Sequence, residues 1–211
     1  MQAAADPHGR VRLEVITTAS WLPKDSGLAI LNEAAKKPID DWMQVSYETA
    51  FAHLNGRSAT EKQEEKIKTK LKGPARDLYV KGKAIYAREG FCITCHQPDG
   101  NGLSPSGFPP LKGTKWVTGN EERLIKIILK GLHGPIEVNG QKYAGQVPMT
   151  PFGGMLKDDE VAAIATYVRN SFGNSAVPVS AEKVKTIRAA TKAKTGFYAP
   201  SELLKLHPME K

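Results

Sequence analysis

The sequence predicts an all-α protein, and three observations support that class. Apolar residues recur at intervals of three and four along several segments, for example at Leu124, Ile127 and Ile128, which is the period of a helix with one buried face. The one hairpin turn that the sequence suggests lies at residues 138–141, around an Asn-Gly pair. No run approaches about 18 consecutive apolar residues, so a membrane-spanning helix is not expected.

Residues 1–56 are predicted to form a small helical unit. Val11 and Val15 are four positions apart and are expected to face its core. A further helix is expected over about residues 39–54. The Asn-Gly pair at 55–56 tolerates the left-handed conformation that commonly ends a helix, so the helix is expected to stop there.

Residues 57–73 are predicted to form a charged linker helix. Lys, Glu, Gln and Thr dominate this segment, and its charges alternate in sign. Only Ile67 and Leu71 are large and apolar. A helix of this composition is expected to face water rather than to contribute to a core.

Residues 74–174 are predicted to form a second helical unit with a long irregular centre. Pro74 suits the first turn of a helix, where its missing N–H is not needed. Glycine and proline are frequent from 90 to 113, which predicts loops there. A last helix is expected from about Asp158 to Ser171, because its apolar residues again follow the helical period.

The formal net charge of +8 is concentrated near the end of the chain. Residues 175–211 carry seven basic and three acidic side chains and few large apolar ones. This basic C-terminal tail is expected to lie loosely on the surface or to recruit an acidic partner. Nucleic-acid binding is not expected, because no basic stripe is interleaved with aromatic residues.

Both cysteines lie in one motif, Cys92-Ile93-Thr94-Cys95-His96. Cys-x-x-Cys-His is the attachment pattern of a c-type haem. Each thiol adds to one vinyl group, the two intervening residues let the sulfurs span the porphyrin edge, and the imidazole then lies beneath the iron. A thioredoxin-type redox pair is disfavoured because a helix, not a strand, precedes the motif. Half of a zinc site is disfavoured because no second cysteine pair is present.

From this motif outward the chain resembles a class I cytochrome c, over about residues 74–174. Gly82-Lys-Ala-Ile-Tyr86 matches the first helix of that family, and Phe108-Pro-Pro-Leu-Lys-Gly113 matches the segment after the haem motif. The resemblance implies one covalently attached haem c. It also implies that the Pro109 carbonyl accepts a hydrogen bond from His96 Nδ1–H and that Leu111 covers the haem. Trp116 is expected either to line the haem crevice or to bind a propionate.

The resemblance also points to a sixth iron ligand. Met149-Thr-Pro-Phe-Gly153 is similar to the family's methionine segment, and prolines at 148 and 151 suit a fixed loop. Met149 and His96 are therefore the expected metal ligands. Met155 and His133 remain alternatives, Met155 as a flexible packing residue and His133 as a polar residue between glycines.

The N-terminal residues resemble a different kind of structure. Arg10-Val-Arg-Leu-Glu14, then Ala19-Ser-Trp21 and Trp42, are similar to the last turns of a HEAT-like helical repeat. Such segments precede C-terminal haem domains in large secreted bacterial proteins with dehydrogenase-like modules. Residues 1–56 are accordingly expected to be either a stub of a longer repeat array or a small helical domain, and residues 1–73 together are a possible docking region for a partner.

The expected function is single-electron transfer by a monohaem cytochrome c, without catalysis by this chain alone, since no general base, nucleophile or phosphate loop is visible. Expected partners are a dehydrogenase as electron donor and a cytochrome or oxidase as acceptor. The alternative is a haem peroxidase or ligand-binding haem sensor with an open sixth position. Covalent haem attachment in bacteria implies a periplasmic or exported location, although the first residues contain no apolar signal-peptide core.

Overall fold

Helices account for most of the structure, a computed structural model that describes residues 2–210 except for the side chains of residues 41, 42, 57–66, 68 and 69. The part of the chain so described holds a single two-stranded sheet, and the predicted all-α class is confirmed. Two compact units follow one another along the chain, Met1–Lys66 and Ile67–Lys211. The side chain of Trp42 and the predicted linker side chains at 57–66 lie outside the described residues.

The first unit has a small apolar core. It contains α1 (Gly9–Ala19), α2 (Lys24–Ala34) and the first part of α3 (Asp41–Lys70). Ile16 and Leu31 are buried in this core, but the predicted inward position of Val11 is wrong, because 38% of that residue is exposed. Its neighbour Arg12 is buried instead. The Arg12 guanidinium donates hydrogen bonds to three backbone carbonyls, which compensates for its removal from water.

The predicted end of the helix at Asn55 and Gly56 is also wrong. Helix α3 continues through both residues to Lys70. Asparagine and glycine inside a helix cost only about 1 kcal/mol relative to alanine, and the Lys, Glu and Gln residues that follow are good helix formers. The charged segment therefore extends the preceding helix instead of starting a new one.

The second unit surrounds an irregular loop region with helices. Its elements are α4 (Pro74–Tyr86), α5 (Cys92–His96), a 3-10 turn (Ser104–Ser106), α6 (Lys115–Thr118), α7 (Glu121–Lys130), β1 (Ile136–Val138), β2 (Gln141–Tyr143), α8 (Asp158–Asn170), α9 (Ala181–Ala190) and α10 (Pro200–Leu206). The strands β1 and β2 pair antiparallel, with Val138 opposite Gln141, so the predicted hairpin turn is confirmed.

Helices α4 and α8 cross closely and form the centre of the second unit. A Cβ atom at Gly82 of α4 would overlap the Ala163 carbonyl of α8, so only glycine permits this approach. Tyr79 and Tyr86 of α4 each pack against Tyr167 of α8, with ring centroids 5.2 Å apart. This crossing fixes the end of α4 from which the chain enters α5.

Residues 175–210 pack firmly on the second unit, so the prediction of a loose tail is wrong. Val184 and Leu203 are fully buried, and Val179, Ile187 and Tyr198 are at most 4% exposed. The large apolar residues of this extension are few, but these five are placed where the segment meets the rest of the unit. Its excess positive charge stays on the opposite, exposed side chains, such as Lys185 and Lys192.

Candidate haem-binding site

One short helix presents both thiols. Cys92 and Cys95 are three positions apart in the single turn of α5, so their side chains leave the same face of that turn. Both are free cysteines. Burial raises the pKa of the Cys92 thiol to about 11 and also raises the pKa of Cys95. At neutral pH both side chains are therefore protonated thiols, which can add to two vinyl groups.

His96 ends the same turn with a defined orientation. Its Nδ1 lies 2.9 Å from the Pro109 carbonyl oxygen, so the hydrogen bond expected from the resemblance is present. Burial lowers the pKa of His96, although the bond to Pro109 acts in the opposite direction. A neutral imidazole that donates Nδ1–H to a carbonyl keeps the Nε2 lone pair free for a metal.

The loop between His96 and Gly113 holds the Pro109 carbonyl in place. Gly102 donates its N–H to the His96 carbonyl at 3.1 Å, and Leu111 donates to the Gly100 carbonyl at 2.8 Å. A Cβ atom at Gly102 would overlap the Phe108 carbonyl and approach the Pro109 carbonyl to 2.6 Å. The loop thus closes tightly behind the imidazole.

An apolar cleft with two connected parts opens beside His96. Both parts share a common set of lining residues, namely Cys92, His96, Pro109, Leu132, Ile136, Met149 and Phe152. The outer part adds Cys95 and Val147, and the inner part adds Leu111 and Trp116. The predicted site residues all line this cleft. Sequence reasoning missed Leu132, Ile136 and Phe152, of which only Phe152 has a sequence signal, since it belongs to the methionine segment.

Backbone hydrogen bonds fix the methionine loop across the cleft. Met149 donates its N–H to the Leu132 carbonyl at 2.8 Å and accepts from the Leu132 N–H at 3.3 Å. Phe152 donates to the Ile128 carbonyl at 2.9 Å, which ties the loop to α7. The loop therefore has a defined position relative to the cleft.

Trp116 forms part of the inner lining. It is 6% exposed, and its indole N–H donates to the Glu137 carbonyl at 2.9 Å. Because that N–H already has an acceptor, the structure fits the expectation that Trp116 lines the crevice and does not fit the expectation of a propionate bond. The guanidinium carbon of the buried Arg123 lies 5.4 Å from the centroid of the Trp116 ring.

These residues fit a covalently attached haem. Two protonated thiols lie within one helical turn, a neutral imidazole follows with its second nitrogen oriented, and the adjacent cleft is lined mainly by apolar side chains. The arrangement defines the class of proteins that bind haem c.

Comparison with known proteins identifies the family. The cytochrome c family model matches residues 79–172. Cytochrome c-552 of Thermus thermophilus is 40% identical over 117 residues, which cover 51% of this chain and 84% of that protein. The fructose dehydrogenase cytochrome subunit of Gluconobacter japonicus is 36% identical over 118 residues, 53% of this chain and 22% of that subunit. The cbb3-type cytochrome c oxidase subunit FixP of Bradyrhizobium diazoefficiens is 33% identical over 96 residues, 44% of this chain and 30% of that subunit.

This chain belongs to the cytochrome c family, as the sequence motif predicted. Its cofactor is covalently bound haem c, and its function is haem-based electron transfer. Among the described residues, no helix combines the length and apolar character needed to cross a bilayer.

Proposed function

We propose that the chain binds one haem c through Cys92 and Cys95, with His96 and Met149 as the two axial ligands, and passes single electrons between redox partner proteins. One observation carries the assignment of the sixth ligand: Met149 lines both parts of the cleft that His96 also lines. Its loop is bonded to Leu132 in both directions. A thioether held in this way is a soft, neutral donor that favours ferrous iron and raises the reduction potential.

The two alternative ligands have less support. Met155 is 56% exposed and is not part of the cleft lining. His133 has an exposed side chain that packs against Phe197, with ring centroids 5.9 Å apart, and it is likewise outside the lining. Either side chain would have to move into the cleft before it could bind an iron there.

The bound haem supplies an iron centre that accepts and releases one electron. The protein's own residues orient and shield that centre. Pro109 keeps the proton on His96 Nδ1, so the imidazole has a single orientation and greater basicity. The apolar lining limits the access of water. If His96 and Met149 both held the iron, no ligand position would remain for a substrate, and the chain would transfer electrons without catalysis of its own.

The proposed partners rest on the names of two relatives, and the proposed location rests on the chemistry of haem attachment. Two of the relatives are named as cytochrome subunits of a dehydrogenase and of an oxidase. We infer that this chain accepts electrons from a dehydrogenase and delivers them to a cytochrome or oxidase. A periplasmic or exported location agrees with covalent haem attachment in bacteria. Residues 1–56 remain a proposed repeat stub or small helical domain.

Replacing Met149 by alanine tests the axial assignment. In the Met149→Ala holoprotein we expect the iron–methionine charge-transfer band to disappear, the ferric spin state to rise and the reduction potential to fall. Peroxide reactivity should appear or increase, because the sixth position becomes accessible. The measurements are the ferric absorption spectrum, a redox titration and a peroxidase assay.

Met155→Ala is the matched control from the same loop. Because Met155 is 56% exposed, we expect its removal to change the free energy of unfolding by less than about 0.5 kcal/mol and to leave the spectrum unchanged. A Met155→Ala protein that lost the band would show that the wrong methionine was chosen. If neither variant changed the spectrum, His133 would become the leading candidate. A high-spin spectrum in the unmodified protein would favour the peroxidase or sensor alternative.

A further inference from the structure

A segment of the C-terminal extension lies directly behind the methionine loop. We call residues 196–199 the strap. Within it, Tyr198 pairs parallel with Leu132. Tyr198 donates its N–H to the Gly131 carbonyl at 3.3 Å, and its carbonyl accepts from the His133 N–H at 2.9 Å. On its other side Leu132 pairs antiparallel with Met149. The strap, Leu132 and Met149 thus lie on three adjacent segments of backbone joined by isolated bridges.

Side chains reinforce this arrangement from the strap side. Tyr198 is 4% exposed and belongs to an apolar cluster that also contains Trp116 and the partly buried Met149. Gly131 lies between the strap and the backbone of Met149. A Cβ atom there would overlap the Met149 carbonyl and would lie 2.7 Å from the ring of Phe197. The strap therefore contacts the same backbone that holds the methionine loop.

The strap is anchored on both sides along the chain. Before it, Lys130 donates to the Lys194 carbonyl at 3.0 Å, and the Lys194 ammonium lies 4.9 Å from the centroid of the Tyr198 ring. After it, Leu203 of α10 is fully buried. The guanidinium of Arg123 then donates to the His207 carbonyl at 2.9 Å and to the Pro208 carbonyl at 3.0 Å. Arg123 itself is 0% exposed, so this end of the extension is held by a buried charge that needs its acceptors.

We propose that the strap is a positioning element for the sixth ligand: by fixing Leu132 from behind, it keeps the Met149 loop against the cleft and so sets how often the methionine leaves the iron. The inference rests on the proposed function, in which Met149 is that ligand. Loosening of the strap weakens the hydrogen bonds that hold Gly131 and His133, so that Leu132 is held mainly through its bonds to Met149. The population of an open loop then increases. A ligand that binds only the open form then gains apparent affinity in proportion to that population.

The test uses the holoprotein with Tyr198→Ala, and imidazole as the external ligand. We expect the apparent affinity of the ferric protein for imidazole to rise about tenfold, and the iron–methionine band to weaken without disappearing. Hydrogen exchange at the Met149 amide, which is bonded to Leu132, should accelerate by a similar factor. Phe197→Ala removes a more exposed part of the strap and should move all three readouts in the same direction by less.

Two matched variants separate positioning from general stability. Tyr198→Ala removes the buried ring that packs the strap into its apolar cluster. Tyr198→Phe keeps that ring and should behave as the unmodified protein. Val184→Ala removes a fully buried side chain of the same extension in α9, away from the strap, and should lower the unfolding midpoint without changing imidazole affinity. Equal imidazole affinities in Tyr198→Ala and Val184→Ala would overturn the inference.

The proposed function is tested separately, by the ferric spectrum of Met149→Ala. If Met149→Ala loses the methionine band and Tyr198→Ala binds imidazole no more tightly than Val184→Ala, the axial assignment stands and the role of the strap is refuted. If Met149→Ala retains the native spectrum, the axial assignment is refuted and the strap's role toward the iron falls with it.

Discussion

The two sides of the cleft are built from different ranges of the sequence. On the side of His96, the imidazole and its carbonyl acceptor are only 13 positions apart, within one loop. On the side of Met149, the loop is bonded to Leu132, and Leu132 in turn lies beside Tyr198 of the extension. The first side therefore depends on local loop closure, whereas the second depends on three segments that are distant in the chain.

That difference predicts that the two sides can be disturbed separately. A change that loosens the loop behind His96 should alter the imidazole and leave the methionine in place. A change between Leu132 and the adjacent segments at Met149 or Tyr198 should displace the methionine and leave the imidazole in place. Two glycines with left-handed backbones, Gly131 and Gly102, allow each side to be disturbed by a single methyl group.

The largest effect is expected from Gly131→Ala, on the methionine side. Gly131 has φ +73°, and the added methyl would overlap the Met149 carbonyl and crowd Phe197. We expect the free energy of unfolding to fall by about 3 kcal/mol, through strain and overpacking together, and the iron–methionine band to weaken. Denaturant unfolding and the ferric spectrum measure these two effects.

Gly140→Ala is the control for backbone strain. Gly140 has a similar φ of +80°, but no atom lies within 4 Å of the position of its Cβ. Its substitution should cost about 1 kcal/mol and leave the band intact. If Gly131→Ala lowered the free energy of unfolding no more than Gly140→Ala, the crowding of the added methyl against Met149 and Phe197 would not be important.

A smaller effect is expected from Gly102→Ala, on the His96 side. Gly102 has φ +68°, and the methyl would displace the Phe108 and Pro109 carbonyls. We expect a loss of about 2 kcal/mol in the free energy of unfolding. The imidazole loses its acceptor and becomes a weaker donor to ferric iron, so the reduction potential should rise while the methionine band persists.

Gly113→Ala serves as the control in the same loop. It has the same φ of +68° with nothing within 4 Å of the added methyl. A redox titration of the two variants should show a raised potential only in Gly102→Ala. A loss of the methionine band in Gly102→Ala would mean that the two sides are coupled and that the comparison between them is wrong.

The smallest effect concerns pH and the end of the extension. Partial burial, with a further contribution from Lys126, lowers the pKa of His207 from 6.5, although Glu122 opposes this and Arg123 and Lys183 add to it. The Lys126 ammonium lies 2.7 Å from His207 Nε2 and donates to the neutral ring. As pH falls below 6.5, the unfolded chain binds the proton first, so this contribution to stability is complete above 6.5 and is lost below it.

The difference in unfolding free energy between the unmodified protein and His207→Gln isolates that contribution. We expect the difference to be larger at about pH 7.5 than at about pH 5.5. A difference that stayed constant between these two pH values would show that His207 titrates alike in the folded and unfolded chains.

The His96 side of the cleft, which is built from neighbouring residues in the chain, was the side that could be predicted from the sequence. Cys92, Cys95 and His96 are specified by side-chain types at fixed spacing, and the Pro109 acceptor follows from a short motif. Leu132 acts through its backbone, and Tyr198 acts through its backbone together with its buried ring. A backbone hydrogen bond needs no particular side chain, so neither residue stands out in the sequence. The loop of Met149 was predicted because its prolines are local signals.

The wrong predictions for the C-terminal extension and for the end of α3 have the same physical basis. The extension was expected to be loose because it has few large apolar residues, but the position of Leu203 or Val184 in the fold, not their number, determines their burial. Helix α3 was expected to stop at an Asn-Gly pair, yet the helix-forming residues beyond that pair outweigh its local cost. Local patterns predict which backbone conformations have a low free energy. Contacts between residues distant in the chain determine which of these conformations the folded protein adopts.

The position of the strap in the chain also bears on the order of folding. The hydrogen bond between His96 and Pro109 closes a loop of 13 positions, whereas the pairing of Leu132 with Tyr198 joins residues 66 positions apart. Because closing a longer loop costs more conformational entropy, we expect the wall of the cleft that carries His96 to form before the wall that carries the strap. A folding chain would then present both thiols and the imidazole on a formed wall while the opposite wall is still open.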